Sequence, residues 1–267
     1  MKTIDKDTLQ GLKKWFSRYS GSFFHEDHFR RECIDLKISH TLKVCALIKQ
    51  LAGDLDLPGD DMNLAETIGL FHDVGRFEQL MQYGTFLDAK SVNHAELGVK
   101  ILREKEVFKG INEKIQDIIL FSISHHNRLD LPENEDAGRL FFGRMIRDAD
   151  KLDIYAFSTE RFYQKDLPPN DPILLEVSDS PEMSEEICRD LLSGTVVKQK
   201  KLKTLNDLKL LMASWIYDIN YVKSFQIIHE NRYIEKIFSL LPETKDTRTI
   251  YSMLSGHIEK KLCTEVK

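Results

Sequence analysis

The segment Phe71-His72-Asp73-Val74-Gly75-Arg76-Phe77 sets an imidazole beside a carboxylate directly after a run of apolar residues. Elsewhere stand His40, His94, the adjacent pair His125-His126, and Asp150. Neutral imidazoles and carboxylates are ligands for divalent transition metals. Taken singly, each residue has a plainer account. A histidine on an inner helix face can be satisfied by a backbone carbonyl, and Asp150 can pair with Arg144 or Arg147. Taken together they ask for more, because a buried charge without a partner is strongly unfavourable. One or two bound cations would satisfy all of them at once.

The elements that must carry these groups read as helices. From about Arg30 to Ala52, His40 joins the stripe Leu36, Val44, Leu47 and Leu51. A short helix from Leu64 to about Asp73 brings His72 in line with Leu64, Ile68 and Phe71, and Gly75 reads as its stop. His94 precedes Leu97 and Ile101 in a helix from about Val92 to Phe108. The His125-His126 pair closes a helix from Asn112 whose inner face carries Ile115, Ile118, Ile119 and Ser122. Asp150 lies between Ile146 and Ile154 in a long helix from Ala137 to Arg161. Beyond it, Asp166 to Pro181 reads as a break or surface excursion. Leu202–Ile228, Arg232–Leu241 and Thr247–Leu262 again read as helices. No segment alternates at period two, so the predicted fold is all-α.

Composition agrees. The 267 residues are 42% apolar and 30% charged, with 13 Gly and 7 Pro, which is the balance of an ordered, helix-rich chain. A net charge of −5 argues against general nucleic-acid binding or attraction to an anionic membrane. The first residues contain no apolar run of signal-peptide type, and no stretch reaches membrane-spanning length, so a cytoplasmic location is expected. Cys33, Cys45, Cys188 and Cys263 are widely spaced and read as reduced thiols. His25, His28, His229 and His257 lack the company of other ligand types; His25-x-x-His28, beside Glu26 and Asp27, reads as a solvated patch.

The order His40, His72-Asp73, Asp150 resembles the H…HD…D signature of the HD-domain metal-dependent phosphohydrolase superfamily. The local contexts match too: His40 four residues before Val44, an apolar-His-Asp-x-Gly-Arg helix end, and Ala149-Asp150 within Asp148-Ala149-Asp150-Lys151-Leu152-Asp153. The resemblance spans roughly residues 30–160. It implies a bundle of five or more helices around a buried metal centre, the first ion held by His40, His72, Asp73 and Asp150. His94, His125 and His126 are similar to the additional histidines of binuclear HD proteins, including the HD-GYP cyclic-dinucleotide phosphodiesterases. That similarity implies a second ion held by Asp73, His94 and His125, with His126 either a further ligand or a support for one. Asp73 would then bridge the two. The segment His125-His126-Asn127-Arg128-Leu129-Asp130 lacks the Gly-Tyr-Pro run, so cyclic-di-GMP is not implied as substrate.

Imidazole-rich, carboxylate-bridged sites suit one or two divalent ions among Mn, Fe, Co, Ni and Zn better than Mg. Such ions supply a hydroxide at neutral pH and clamp phosphoryl oxygens. Asp73 and Arg76 are the expected catalytic residues, and Arg76, Lys90, Arg128 and Lys151 the expected cations for a phosphorylated substrate. Asp88 or Asp153 is a candidate support for a ligand histidine. The implied activity is hydrolysis of a phosphoester or phosphoanhydride in a nucleotide or related small phosphate. A mixed-valence diiron oxygenase related to inositol oxygenase uses a similar ligand set, and a non-catalytic, metal-stabilised signalling or binding protein is a further alternative. One HD domain is expected over residues 1–267, with a metal-binding core at about 30–160 and a helical extension at about 168–267. The stripe Leu208, Leu211, Trp215, Ile219 and Val222 suggests that the extension packs against the metal bundle, the alternative being that Trp215, Tyr217 or Tyr221 lines a substrate pocket.

Overall fold

A computed structural model describes residues 3–164 and 177–263. The chain divides into two compact units, Met1–Asp150 and Lys151–Lys267. Among the described residues there are helices, turns and one isolated bridge between Ser178 and Thr204, but no strand. The fold is all-α. None of these helices is long and apolar enough to cross a membrane.

The first unit begins with α1 (Lys6–Gly21), whose amide end is capped by the Asp5 carboxylate accepting from Thr8 N. Its buried face, Leu9, Leu12, Phe16 and Tyr19, repeats at spacings of three and four. Phe16 and Tyr19 meet Phe77, and Phe16 and Trp15 meet Phe71, in an aromatic cluster. α2 (His28–Asp54) is capped by Asp27 and packs along α3 (Gly59–Phe71). From Leu64 to Phe71 every residue of α3 is buried, which makes it the central helix of this unit. α4 (Gly75–Tyr83), α5 (His94–Glu104) and α6 (Glu113–His125) follow, with Asn93 and Asn112 capping the last two. α7 (Ala137–Phe162) carries Asp150, and the boundary between the units falls within it.

The second unit contains α8 (Glu185–Leu192), α9 (Leu205–Ser214), α10 (Val222–Glu230), α11 (Tyr233–Phe238) and α12 (Lys245–Cys263). Thr204 and Asp207 form a capping box at the start of α9, and Asp207 also accepts from Ser184 N and Oγ. Tyr155 donates its hydroxyl to Met212 O and stacks on Tyr233, joining α7, α9 and α11. None of the four cysteines forms a disulfide, with Cys33, Cys45 and Cys188 buried and Cys263 exposed.

Several predicted boundaries move. The N-terminal helix α1 and the short α8 were not foreseen, and α3 begins at Gly59 rather than Leu64. Gly75 does not stop a helix; it starts one. Its φ is not positive, and its flanking residues His72 and Val74 keep right-handed helical angles, so the chain turns and resumes. The helix expected over Leu202–Ile228 is broken. Trp215–Asp218 tightens into a 3₁₀ turn, Ile219 is extended, and α10 starts afresh at Val222. The run Trp-Ile-Tyr-Asp-Ile-Asn-Tyr has weak helix propensity, and polar side chains compete for the backbone there: Ser214 Oγ donates to Leu211 O, and Asn220 Nδ2 to Asp218 O. The break expected over Asp166–Pro181 lies mostly outside the described residues.

Candidate metal centre

α2 carries His40 on its buried face with Thr41 and Val44. α3 ends at Phe71, and the turn 72–74 before α4 presents His72 and Asp73 together. On an uninterrupted helix these two would point about 100° apart. Here the helix is interrupted at 72–74, and both side chains reach one place.

Two groups of potential ligand atoms result, His40–His72–Asp150 and Asp73–His94–His126, each with all its atoms within 4.8 Å of one another. In the first, His40 Nε2 lies 3.2 Å from His72 Nε2 and 3.1 Å from Asp150 Oδ1. In the second, His94 Nε2 lies 3.0 Å from His126 Nε2 and 3.2 Å from Asp73 Oδ1. Asp73 faces both: Oδ1 points to His94 and, at 3.7 Å, His126, while Oδ2 lies 3.6 Å from His40 Nε2 and 3.8 Å from His72 Nε2. Donors about 2.0–2.2 Å from a shared ion stand about 3–3.5 Å apart, so these separations fit a metal.

The ring protons make the same point. His72 Nδ1 bonds Gly69 O at 2.7 Å, His126 Nδ1 bonds Ile123 O at 2.7 Å, and His94 Nδ1 lies 2.8 Å from Asp88 Oδ2. Each partner only accepts, so each Nδ1 carries the proton and each Nε2 of a neutral ring offers a lone pair. Burial pushes the His72 imidazole down to about 3, despite the opposing charges of Asp73 and Asp150. Burial, and then Arg76, also lowers His94, against Asp73 and Asp88. With Nδ1 of His94 on Asp88 and Nδ1 of His126 on Ile123 O, the two Nε2 atoms converge on one carboxylate oxygen. A cation is the group that such a set of acceptors fits.

The carboxylates are held ionised. Burial pushes Asp73 up, but the Lys37 ammonium outweighs it, with His72, His126 and His94 acting in the same direction, and holds it well below the usual range. Asp150 is depressed as well: burial raises it, and His40, then His72 and His126, prevail.

A polar network braces the second group. The Asp88 carboxylate accepts from His94 Nδ1, Arg76 Nη1 (3.0 Å), Gln79 Nε2 (2.8 Å) and Asn127 Nδ2 (3.1 Å). Burial raises Asp88, while His94, Arg76 and Gln79 bring it down to about 2. Gln79, fully buried, also lies 2.8 Å from Ser91 Oγ and 3.0 Å from Val92 O, which ties the loop after α4 to that helix. Gly75 and Gly98 let α4 and α5 touch. A Cβ on Gly75 would sit 2.1 Å from His94 O and 2.7 Å from Gly98 N. Arg147, almost wholly buried, donates to His125 O, Arg128 O and Leu129 O and so fixes the end of α6.

Among the expected site residues, His40, His72, Asp73, His94, His126 and Asp150 come together. His125 does not. Its half-buried ring stacks on Phe121, centroids 4.1 Å apart, and its Nδ1 bonds Phe121 O. Adjacent helical residues diverge by about 100°, so only one of the pair can follow Ile119, Ser122 and Ile123 inward, and His126 lies seven, four and three residues after them. Asp88 supports His94 as anticipated; Asp153 is buried in the second unit. Arg76 is less free than expected: Nη1 has Gln79 Oε1, Phe86 O and Asp88 Oδ1 around it, and Nε lies 3.5 Å from Asp73 Oδ1. Lys90 is exposed on the 3₁₀ turn Asp88–Lys90. Arg128 is exposed and pairs with Glu96, whereas Lys151 is buried with its Nζ 2.6 Å from Asp218 Oδ2.

Three neighbours escaped the sequence reading. Lys37 Nζ lies 2.8 Å from Asp73 Oδ2, Gln79 anchors Asp88, and Asn127 bonds both Asp88 and Asn93. Spacing held a signal for two of them. Lys37 is one turn before His40, and Gln79 is two turns beyond His72.

Residues 38–155 match the family model of the HD domain. No curated protein and no solved structure matches the chain.

Proposed function

Residues 38–155 belong to the HD domain family, a superfamily of metal-dependent phosphohydrolases, and from that premise we propose that this protein hydrolyses a phosphoester or phosphoanhydride of a nucleotide or related small phosphate. The observation that carries the reading is the division of the Asp73 carboxylate, one oxygen toward His40 and His72 and the other toward His94 and His126. That arrangement supports a pair of divalent ions bridged by one side chain.

His40, His72, Asp73 and Asp150 would hold one ion, and Asp73, His94 and His126 the other. Ions of this kind, when bound, acidify water and draw charge from phosphoryl oxygens. The chain's part is to prepare that place. Buried carbonyls and Asp88 fix the rings with their Nε2 lone pairs inward, so no reorientation is needed on binding. Ligation requires neutral imidazoles and ionised carboxylates, and burial keeps His72 and His94 neutral while local charge keeps Asp73 and Asp150 ionised. Arg76 acts as a brace between Asp73, Asp88 and the Phe86 carbonyl.

The test is protein stripped of metal, reloaded with Mn²⁺ and assayed without oxygen on a panel of nucleotides and small phosphoesters. Release of phosphate or of a nucleotide product is expected. Activity that requires both iron and oxygen, with no phosphoester cleaved under any metal, would replace hydrolysis by oxidation. Full metal content with neither activity would leave a binding protein.

A further inference from the structure

Lys37 has no part in the ligand set, yet it touches the shared carboxylate. Its Nζ lies 2.8 Å from Asp73 Oδ2, and 18% of its side chain is exposed where Asp73 shows only 4%. Its other contact is the face of Phe86, 5.3 Å from Nζ to the ring centroid. Only one of its three ammonium hydrogens is needed by Asp73, and Lys37 is the more exposed of the two side chains.

Arg76 differs in the respect that matters. It lies over the same Phe86 ring, but Nη1 is surrounded by three acceptors and its charge is offset by Asp88 at 3.0 Å. Asp73 is the acid Lys37 contacts, and Asp73 is also the carboxylate shared by both ligand groups. Two divalent ions against Asp73 and Asp150 leave two positive charges, since the four imidazoles are neutral ligands. Lys37 adds a third. A partly buried site with that surplus calls for an anion, and a tetrahedral oxyanion offers oxygens to metals and ammonium together.

We propose that Lys37, rather than Arg76, is the side chain that contacts the phosphoryl group at this centre, donating to one of its oxygens. The proposal rests on the hydrolase reading. It makes Lys37 a substrate-contacting residue, with Phe86 limiting where its ammonium can swing.

The test compares the Mn²⁺-loaded wild type with Lys37→Met and Lys37→Arg, measuring metal content by elemental analysis and the Kd for inorganic phosphate by calorimetry. Lys37→Met should keep the wild-type metal content and raise the phosphate Kd by about tenfold or more, the loss expected for a charge-assisted hydrogen bond. Lys37→Arg keeps the charge and should recover most of that affinity. Wild-type phosphate affinity in fully loaded Lys37→Met overturns the proposal and leaves the hydrolase reading standing. So does a metal deficit in Lys37→Met whose correction with excess Mn²⁺ restores phosphate binding, because Lys37 would then act only through Asp73. A fully loaded wild type that binds no phosphate overturns both.

Discussion

The two ligand groups are built differently. His40–His72–Asp150 stands on a long helix, a helix end and another long helix, and His72 is oriented by a main-chain carbonyl. In Asp73–His94–His126, His94 is oriented by a side chain, Asp88, that itself depends on Arg76, Gln79 and Asn127. Backbone acceptors move only if the fold moves. A side-chain acceptor is lost with one substitution. The first group should therefore tolerate changes around it, while the second should be separable from it by mutations that leave the bundle intact.

The largest effect should come from the one residue that serves both groups. Asp73→Ala is expected to lose most of the bound metal and all turnover, read by elemental analysis and assay. Full metal content in that variant would end the bridging assignment.

Gly75→Ala should divide the groups by geometry. The added methyl meets the His94 carbonyl and the Gly98 amide, both backbone, so α5 must shift away from α4. A destabilisation of about 1–3 kcal/mol in urea melts is expected from such overpacking, with loss of the second metal equivalent and retention of the first. Wild-type stoichiometry would show that the crossing is more compliant than its spacing implies.

Asp88→Asn should divide them by chemistry. Removing an outer carboxylate from a ligand histidine typically weakens metal binding about 10- to 100-fold, and here the loss should be confined to one of two equivalents. Acid stability gives a second reading. The Asp88 carboxyl is depressed from 3.8 to about 2, so its stabilising contribution is present above 3.8 and lost as pH falls toward 2. The mutant's deficit in stability should accordingly be full near neutral pH and shrink through that window. A deficit independent of pH would mean that Asp88 contributes shape, not charge.

The smallest effect belongs to His125→Ala. Metal content should not change, and stability should fall by no more than the value of one stacked pair, about 0.5–1.5 kcal/mol. Loss of a metal equivalent here, with His126→Ala silent, would reverse the assignment within the pair.

Much of this centre is legible in the sequence. His40, His72, His94 and Asp150 fall on helical stripes whose apolar members are local in sequence, and a period of 3.6 residues reports a face without knowledge of what that face meets. Helix existence was readable for the same reason along α2, α6 and α7. The failures were equally physical. Gly75 reads as a stop because glycine often ends helices, whereas its missing Cβ answers to α5, about twenty residues away in sequence. The Leu202–Ile228 stripe is periodic, but weak propensity and competing hydrogen bonds at Ser214–Asn220 interrupt it. The family resemblance favours His125 over His126, whereas the structure groups His126 with Asp73 and His94, because the side of α6 that faces the centre is set by packing.

The sequence by itself determined which side chains can ligate, that helices carry or border them, and the order of motifs they follow. Those properties depend on residue type and on spacing within single elements. Tertiary structure decided the rest: the division of the Asp73 carboxylate between two groups, the inward turn of His126, the engagement of Arg76 Nη1 and the placing of Lys37 beside the shared acid. Each of these depends on distances between atoms on different elements, set by the turn at residues 72–74 and by the close approach of α4 and α5. No periodicity within one helix encodes how near another will come.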